Sequence, residues 1–289
     1  MQRPAPFVFA PLNGELYRWP IGLFRLARGG TRVTYPKSLR NHCRAIAAIG
    51  LAFGANPCFA ADSPVAALAG TSSCAKHLWA DRGRAPLGFI KGVTLVYSQR
   101  YCELKGHADS AVTVMAGKAA QPAKDALELY GKAGGSDVDR LRAVFALAMG
   151  EGMRESSGNT TEGYDKTVHD QTAEIAEAGL FQVSHDSLGR SVWQQRVMDQ
   201  YAASPNSCLL DTFLEGVRPK TTPVVEAGPG AQFQTRMKSC PALATDYAVI
   251  MFRVDRTHFG PIVRQEAELV PECEDLLRSV EKEADAKCP

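Results

Sequence analysis

A carboxylate at the end of a hydrophobic helix is the feature of this sequence that most clearly suggests chemistry. Glu155 is followed directly by Ser156-Ser157-Gly158-Asn159, a polar run with low helix propensity that predicts a turn. Helix carbonyl groups point outward at that end, so a negative charge is unfavourable there, and burial in a cleft would disfavour it further. We therefore expect a raised pKa for Glu155, which suits a proton donor in the cleavage of a glycosidic bond.

The helix that must position Glu155 is predicted from local signals. Ser136 and Asp139 have the spacing of a capping box, which places the helix start directly after Ser136. Apolar residues then recur at helical spacing and predict a core-facing side, namely Val138, Leu141, Val144, Phe145 and Ala148. Glu151 lies one turn before Glu155. A solvated or ion-paired side chain is the favoured interpretation of Glu151, and a second functional acid is the alternative.

A second segment strengthens the functional interpretation. Gly179-Leu180-Phe181-Gln182-Val183-Ser184 begins 24 residues after Glu155. Taken together, Glu155–Asn159 and Gly179–Ser184 resemble the Glu-Ser and Gly-Leu-Met-Gln motifs of lytic transglycosylases and goose-type lysozymes. The resemblance covers residues 138–184 well. It implies a mainly α, lysozyme-like helical domain whose substrate is the β-1,4-linked glycan of peptidoglycan or a related amino-sugar polymer.

The same resemblance implies roles for individual residues. Glu155 would be the catalytic acid, and it would then act as a base on the C6 hydroxyl of the sugar to leave a 1,6-anhydro end. Ser156 would help to place the sugar, and Gln182 would line the cleft with Phe181 packing beneath. Each of these three side chains is therefore expected to contribute to substrate binding.

These families usually carry, late in the domain, a motif whose tyrosine forms a hydrogen bond with the catalytic acid, and this sequence contains only a loose match to it. Tyr247 is the nearest substitute for the tyrosine that bonds the catalytic acid, and we include it among the substrate-binding candidates, although the surrounding residues differ from the family pattern. Arg253 is an alternative side chain that could hold or tune Glu155.

Two other functions remain open. An inverting hydrolase of the lysozyme or chitosanase kind needs a second carboxylate roughly 6.5–9.5 Å from the first. Among Glu162, Asp165 and Asp170 on the intervening loop, Asp165 and Asp170 are the better candidates for that second acid. A catalytically silent, lysozyme-like protein that binds the cell wall is the alternative from a different class.

Composition restricts the possible partners. The chain has 289 residues, 45% of them hydrophobic, which suffices for a sizeable core. A formal net charge of +2 gives no reason to expect a nucleic-acid partner. The sequence contains no apolar run long enough to span a bilayer. Scattered histidines suggest no metal site, no cofactor is expected, and we expect a monomer.

The N-terminal region predicts export. Residues 1–36 are interpreted as a disordered extension, or as residues that precede the true start at Val33 or Leu39. Residues 37–61 have the basic, apolar and small-residue pattern of a secretory signal peptide. Residues 62–289 would then be the glycan-cleaving domain. The protein is therefore expected to be periplasmic or secreted.

Cysteine content agrees with an oxidising compartment. Removal of the signal peptide leaves six of the eight cysteines, an even number that permits three disulfides. Proximity in sequence favours the pairs Cys74–Cys102, Cys208–Cys240 and Cys273–Cys288, although the sequence leaves other pairings open.

The remaining elements are predicted in outline. Residues 92–97 have the β-branched and aromatic character of a short strand. Helices are expected from Pro122 to Tyr130, from Ser191 to Tyr201, from Tyr247 onward as a buried central helix, and after Pro271.

Overall fold

The structure is a computed structural model that describes residues 63–106, 110–164, 171–219 and 223–288. The predicted N-terminal extension and signal peptide lie outside the described residues, as do Asp165 and Asp170. In the described part the protein is mainly helical, as predicted, and its only sheet there is a short two-stranded hairpin. No helix in that part is both long enough and apolar enough to cross a bilayer.

The elements follow one another along the chain with short connections. The α-helices are α1 (Pro64–Thr71), α2 (Leu87–Lys105), α3 (Val112–Ala116), α4 (Ala126–Leu129), α5 (Asp137–Ser156), α6 (Val192–Ala203), α7 (Leu210–Phe213), α8 (Pro229–Ser239), α9 (Pro241–Val254), α10 (Gly260–Val263) and α11 (Pro271–Asp285). The strands β1 (Leu78–Trp79) and β2 (Gly83–Arg84) pair antiparallel.

The long helix α5 has the boundaries that its sequence predicts. The Asp139 N–H donates to Ser136 Oγ at 3.2 Å, and the Ser136 N–H donates to Asp139 Oδ2 at 2.9 Å, which completes the capping box. At the other end, Ser157 adopts a left-handed conformation with φ 55° and terminates the helix. Glu155 therefore lies in the last turn, as predicted.

Helix α2 corrects the prediction of a strand at residues 92–97. It is continuous from Leu87 to Lys105 and packs against α1, α5, α7, α9 and α11. Gly88 and Gly92 permit this packing, because a Cβ at Gly88 would lie 2.2 Å from the Thr212 carbonyl oxygen and one at Gly92 would meet the Phe213 ring. The β-branched run reflects burial on nearly all sides of a helix, and this tertiary packing overrides local propensity.

Helix α9 is the buried central helix that was predicted, but it begins six residues earlier than Tyr247. Pro241 occupies the first helical position, where a missing N–H is tolerated. Asp246 lies inside the helix and pairs with Arg100 of α2.

The predicted helix from Pro122 to Tyr130 is interrupted. Residues Pro122–Lys124 form one 3₁₀ turn, and α4 starts anew at Ala126. Asp125 lies at the break, where its side chain accepts from the Leu127 N–H at 3.0 Å and caps α4. Helices α6 and α11 occur where they were predicted.

Three disulfides connect the six cysteines of the predicted mature chain. Cys208–Cys240 is present as predicted, whereas Cys74 pairs with Cys273 and Cys102 with Cys288. The predictions of Cys74–Cys102 and Cys273–Cys288 are therefore wrong. Helix α11 packs against α1, α2 and α5, so the fold brings cysteines 199 and 186 residues apart into bonding distance.

Candidate active site

Glu155 lies where three segments meet at the end of α5. Arg82, in the β1–β2 hairpin, donates from its guanidinium to the Arg154 carbonyl oxygen. Glu268, in the segment after α10, accepts a hydrogen bond from the Ala80 N–H of the same hairpin. The hairpin and the segment after α10 are thus tied to each other and to the helix end, and together they form the surroundings of Glu155.

Burial raises the pKa of Glu155, as we expected, and it is the principal cause of the shift. The charges of Arg82, Arg264 and Arg154 act in the opposite direction and lower it, as does an interaction with Glu151. The balance still leaves the pKa above the ordinary value of a glutamate. Glu155 is only partly exposed, so it keeps contact with solvent while remaining largely desolvated. Such a group can hold a proton and deliver it to a ligand.

Glu151 departs from its favoured interpretation as a solvated or ion-paired residue. It is 0% exposed, and neither of its carboxyl oxygens has a hydrogen-bond partner among the described residues. Burial, and after it the charge of Glu155, holds the pKa of Glu151 well above its usual range. Burial therefore favours the protonated, neutral form of Glu151.

Tyr130 is a neighbour of this acid pair that the sequence patterns did not indicate. Its hydroxyl oxygen is buried and makes no hydrogen bond of good geometry within the described residues, although the Ala267 N–H lies close to it. Burial and the charge of Glu151 raise the pKa of Tyr130. No sequence pattern links Tyr130 to Glu151, because Tyr130 follows the short helix α4 and comes near Glu151 only when α4 packs against α5.

The second motif segment forms a tight loop beside the first. Ala178 and Val183 exchange backbone hydrogen bonds of 3.0 and 3.4 Å across it. Gly179 has a φ of 77°, and a Cβ there would lie 2.9 Å from the Met237 carbonyl oxygen, so the position requires glycine. Its N–H donates to the Glu162 carbonyl oxygen at 3.0 Å, which joins the loop to the chain three residues after the first motif segment.

Phe181 and Gln182 occupy the inside and the edge of this loop. Phe181 is completely buried, packs edge-on against Phe252, and lies next to Gly152, where an added Cβ would be 3.2 Å from its ring. Gln182 donates from Nε2 to the Gly179 carbonyl oxygen at 2.9 Å and closes the loop. Phe181 thus lies beneath the surface near α5, and contact of Gln182 with a sugar stays a prediction.

Ser156 has local hydrogen bonds at the helix end. Its hydroxyl donates to the Gly152 carbonyl oxygen at 3.0 Å and accepts from the Asn159 N–H at 3.2 Å. These contacts stabilise the turn that follows Glu155. A direct contact between Ser156 and a sugar also stays a prediction.

Tyr247 and Arg253 are corrections to the predicted site. Tyr247 is fully buried and its hydroxyl lies 2.8 Å from Ser187 Oγ, so it has no surface with which to contact a glycan. Arg253 binds Asp125 through two hydrogen bonds of 2.9 and 3.0 Å and does not hold Glu155. Both lie on α9, which the core requires for packing.

The described ranges contain no group of three or more His, Cys, Asp or Glu side chains that could hold a metal ion. Comparison of the chain with protein-family models, with curated proteins and with solved structures finds no match. The likeness to lytic transglycosylases and goose-type lysozymes therefore stays a prediction that depends on the two motif segments.

Proposed function

We propose that the protein is an exported enzyme that cleaves β-1,4 glycosidic bonds in peptidoglycan or a related amino-sugar glycan, with Glu155 as its general acid. The observation that carries the proposal is the placement of Glu155. It lies at the end of α5, largely desolvated and with a raised pKa, beside a loop formed by the second motif segment. Three disulfides agree with an oxidising compartment outside the cytoplasm.

The chemistry that we propose needs one carboxyl group. Glu155 gives its proton to the glycosidic oxygen while the bond between that oxygen and the anomeric carbon breaks. The resulting carboxylate then takes the proton of the C6 hydroxyl, whose oxygen bonds to the anomeric carbon and forms a 1,6-anhydro sugar. Glu155 is protonated again at the end, so no proton is gained or lost.

The hydrolytic alternative needs a base that can activate water on the other side of the sugar. Glu151 is unsuited to that task because it is fully buried and burial raises its pKa, which disfavours the carboxylate that a base requires. Asp165 and Asp170, the candidates for the second acid, lie outside the described residues. The role of Asp165 or Asp170 as a second acid stays a prediction, and we propose the route with a single acid because the resemblance to lytic transglycosylases implies it.

Replacement of Glu155 by glutamine tests the proposal. We expect Glu155→Gln to lose about 10²–10⁴-fold of the rate at which purified peptidoglycan is cleaved, because the amide has no acidic proton. Its circular dichroism spectrum and unfolding curve should match those of the wild type. Glu272→Gln, at an exposed position of α11, is the matched control and should keep full activity.

Mass spectrometry of the products separates the mechanisms. Anhydro-sugar ends indicate the transglycosylase, and reducing ends indicate the hydrolase. A wild-type protein that binds peptidoglycan without cleaving it, or a fully active Glu155→Gln variant, would contradict the proposal, and the first of these results would identify a silent cell-wall-binding protein.

A further inference from the structure

Glu151 is a buried acid that lacks the partner that buried acids normally have. It is 0% exposed, and its two oxygens make no hydrogen bond within the described part of the chain. Burying a polar group without a partner is unfavourable, and an apolar residue at this position would fill the space at lower cost. A residue maintained at such a cost suggests a role other than stability.

The burial of Glu151 is produced by close packing on two sides of α5. A Cβ at Gly150 would lie 2.1 Å from the Glu268 carbonyl oxygen, so the helix backbone directly contacts the segment after α10. A Cβ at Gly152 would lie 2.7 Å from the Phe89 ring, so this ring packs directly against the helix backbone on another side. The two flanking glycines therefore let neighbouring elements exclude water from Glu151.

The groups that face this acid come from several elements. On α5 itself the charge of Glu155 acts on Glu151 most strongly, and one helical turn separates the two residues. From the segment after α10, Arg264 lowers and Glu266 raises the pKa of Glu151. The hydroxyl of Tyr130 approaches from the end of α4.

The charges around Glu155 complete the surroundings. Arg82 of the hairpin and Arg154 of α5 lower the pKa of Glu155, together with Arg264. These guanidinium groups have other partners, because Arg264 binds Glu266 at 2.8 and 2.9 Å and Arg154 lies 3.4 Å from Glu266. Arg154 and Arg264 therefore bind Glu266, and no hydrogen bond joins either of them to Glu151 in the described residues.

We propose that Glu151 is a positioning residue that keeps its proton, directs it at Glu155, and stabilises the carboxylate that Glu155 becomes during the reaction. The inference rests on the proposed role of Glu155 as the general acid. The pair holds two protons before the reaction. When Glu155 gives its proton to the leaving oxygen, one proton stays on Glu151 between the two carboxyl groups. The pair regains the second proton when the C6 hydroxyl is deprotonated.

The physical basis is that two neighbouring carboxyl groups titrate as one unit. Loss of the first proton is eased because the remaining acid can donate a hydrogen bond to the new carboxylate, and loss of the second is opposed by repulsion. The interaction with Glu151 accordingly lowers the pKa of Glu155, whereas the interaction with Glu155 raises that of Glu151. In the resting structure the Glu151 oxygens lie outside good hydrogen-bond geometry, so the bond would tighten as charge develops on Glu155.

Two substitutions separate this role from simple packing. Glu151→Gln keeps a hydrogen-bond donor of similar size, whereas Glu151→Leu removes the donor and leaves an apolar side chain. We expect Glu151→Leu to lower kcat at the plateau of the pH profile by about 10- to 100-fold, with little change in KM, because a hydrogen bond to a charged group is lost as the charge forms. Its alkaline limb should move to higher pH. Glu151→Gln should stay close to the wild type in both respects.

A direct titration by NMR, with ¹³C-labelled glutamate carboxyl groups, tests the pair without an assay of activity. The wild type should show two coupled steps, with Glu151 keeping its proton above neutral pH. Glu155 should titrate in one step in each variant, at higher pH in Glu151→Leu than in Glu151→Gln. A Glu151 signal that titrates like an exposed glutamate would overturn the inference, and so would an unchanged pH profile in Glu151→Leu.

The two measurements distinguish failure of the inference from failure of the proposed function. A wild type that cleaves glycan while its two carboxyl groups titrate independently refutes the shared proton alone. A coupled titration in a protein that cleaves no glycan refutes the proposed function but leaves intact the conclusion that Glu151 and Glu155 titrate as one unit. If Glu151→Leu does not fold, the wild-type titration and Glu151→Gln still decide the matter.

Discussion

Two buried carboxyl groups in this protein, those of Asp125 and Glu151, differ in whether they have a hydrogen-bond partner. Asp125 is 0% exposed and bound by the guanidinium group of Arg253, whose side chain is 1% exposed, through hydrogen bonds of 2.9 and 3.0 Å. Glu151 is equally buried and has no hydrogen-bond partner in the described residues. One acid is bound by a cation in the core, whereas burial raises the pKa of the other and favours its protonated form.

The difference separates an acid that holds the fold together from one that is available for chemistry. Asp125 joins α4 to α9 and also caps α4, so both of its oxygens have structural duties. Asp246 is similar, because Arg100 and the Tyr201 hydroxyl bind it in the core. Glu151 links no elements through hydrogen bonds in the described chain, and its strongest electrostatic neighbour is Glu155.

The largest effect is expected when the paired acid loses its charge. Asp125→Asn should lower the free energy of unfolding by about 3–5 kcal/mol, because it leaves the buried Arg253 guanidinium without a counter-charge. Asparagine can still cap α4, so the loss reports the ion pair rather than the cap. Urea unfolding at neutral pH measures it. A loss below about 1 kcal/mol would show that the Met115 and Gly117 carbonyl oxygens suffice for Arg253 and would weaken the comparison.

Replacement of the other carboxyl group, that of Glu151, by an amide should not lower the free energy of unfolding. Glu151→Gln removes a carboxyl group whose charged form is disfavoured by burial, and at neutral pH we expect a stability equal to or above that of the wild type. The pKa of Glu151 is raised by folding, so the stability that this group contributes is fully present below its unfolded pKa, about 4.3, and is lost as pH rises towards the folded pKa.

The pH dependence sharpens this prediction. The difference in unfolding free energy between Glu151→Gln and the wild type should grow above about pH 4.3, by at most ~1.4 kcal/mol per pH unit, and become constant above the folded pKa. Urea unfolding over a series of pH values measures it. A pH-independent difference would mean that Glu151 ionises normally in the folded protein.

The smallest effect is expected from the exposed cation near the pair. The Arg264 side chain is 59% exposed, and its charge lowers the pKa of both Glu151 and Glu155. Arg264→Gln should move the alkaline limb of glycan cleavage slightly to higher pH at low salt, and added salt should remove the difference. Arg278→Gln, at a 48% exposed position on α11, is the control and should leave the limb unchanged. An equal shift in both variants would indicate a general charge effect.

Local patterns predicted the parts of the site that depend on neighbours in sequence. The capping box of Ser136 and Asp139 and the turn after Ser156 fixed both ends of α5, so the position of Glu155 in the last turn was predicted correctly. Helix α6 was likewise predicted from Ser191, and the structure shows a capping box of Ser191 and Gln194 at its start. Hydrogen bonds between residues three or four positions apart stabilise each of these features, and the residue types alone reveal them.

Features that depend on long-range packing were missed. Residues 92–97 were assigned to a strand because their β-branched character does not say that they belong to a helix packed among several others. Arg253 was offered as a partner for Glu155, but the fold directs it to Asp125, which lies 128 residues earlier in the chain.

The sequence by itself determined the helical character of the chain, the ends of α5, and the presence of one acid at a helix end beside a turn. Only the tertiary structure decided which cysteines pair and which acids are buried. Cys74 and Cys273 are 199 residues apart, and the glycines on either side of the buried Glu151 pack against Phe89 and Glu268, far from them in sequence. Helix ends arise from local hydrogen bonds, whereas burial and disulfide pairing arise from contacts that exist only after distant segments pack together.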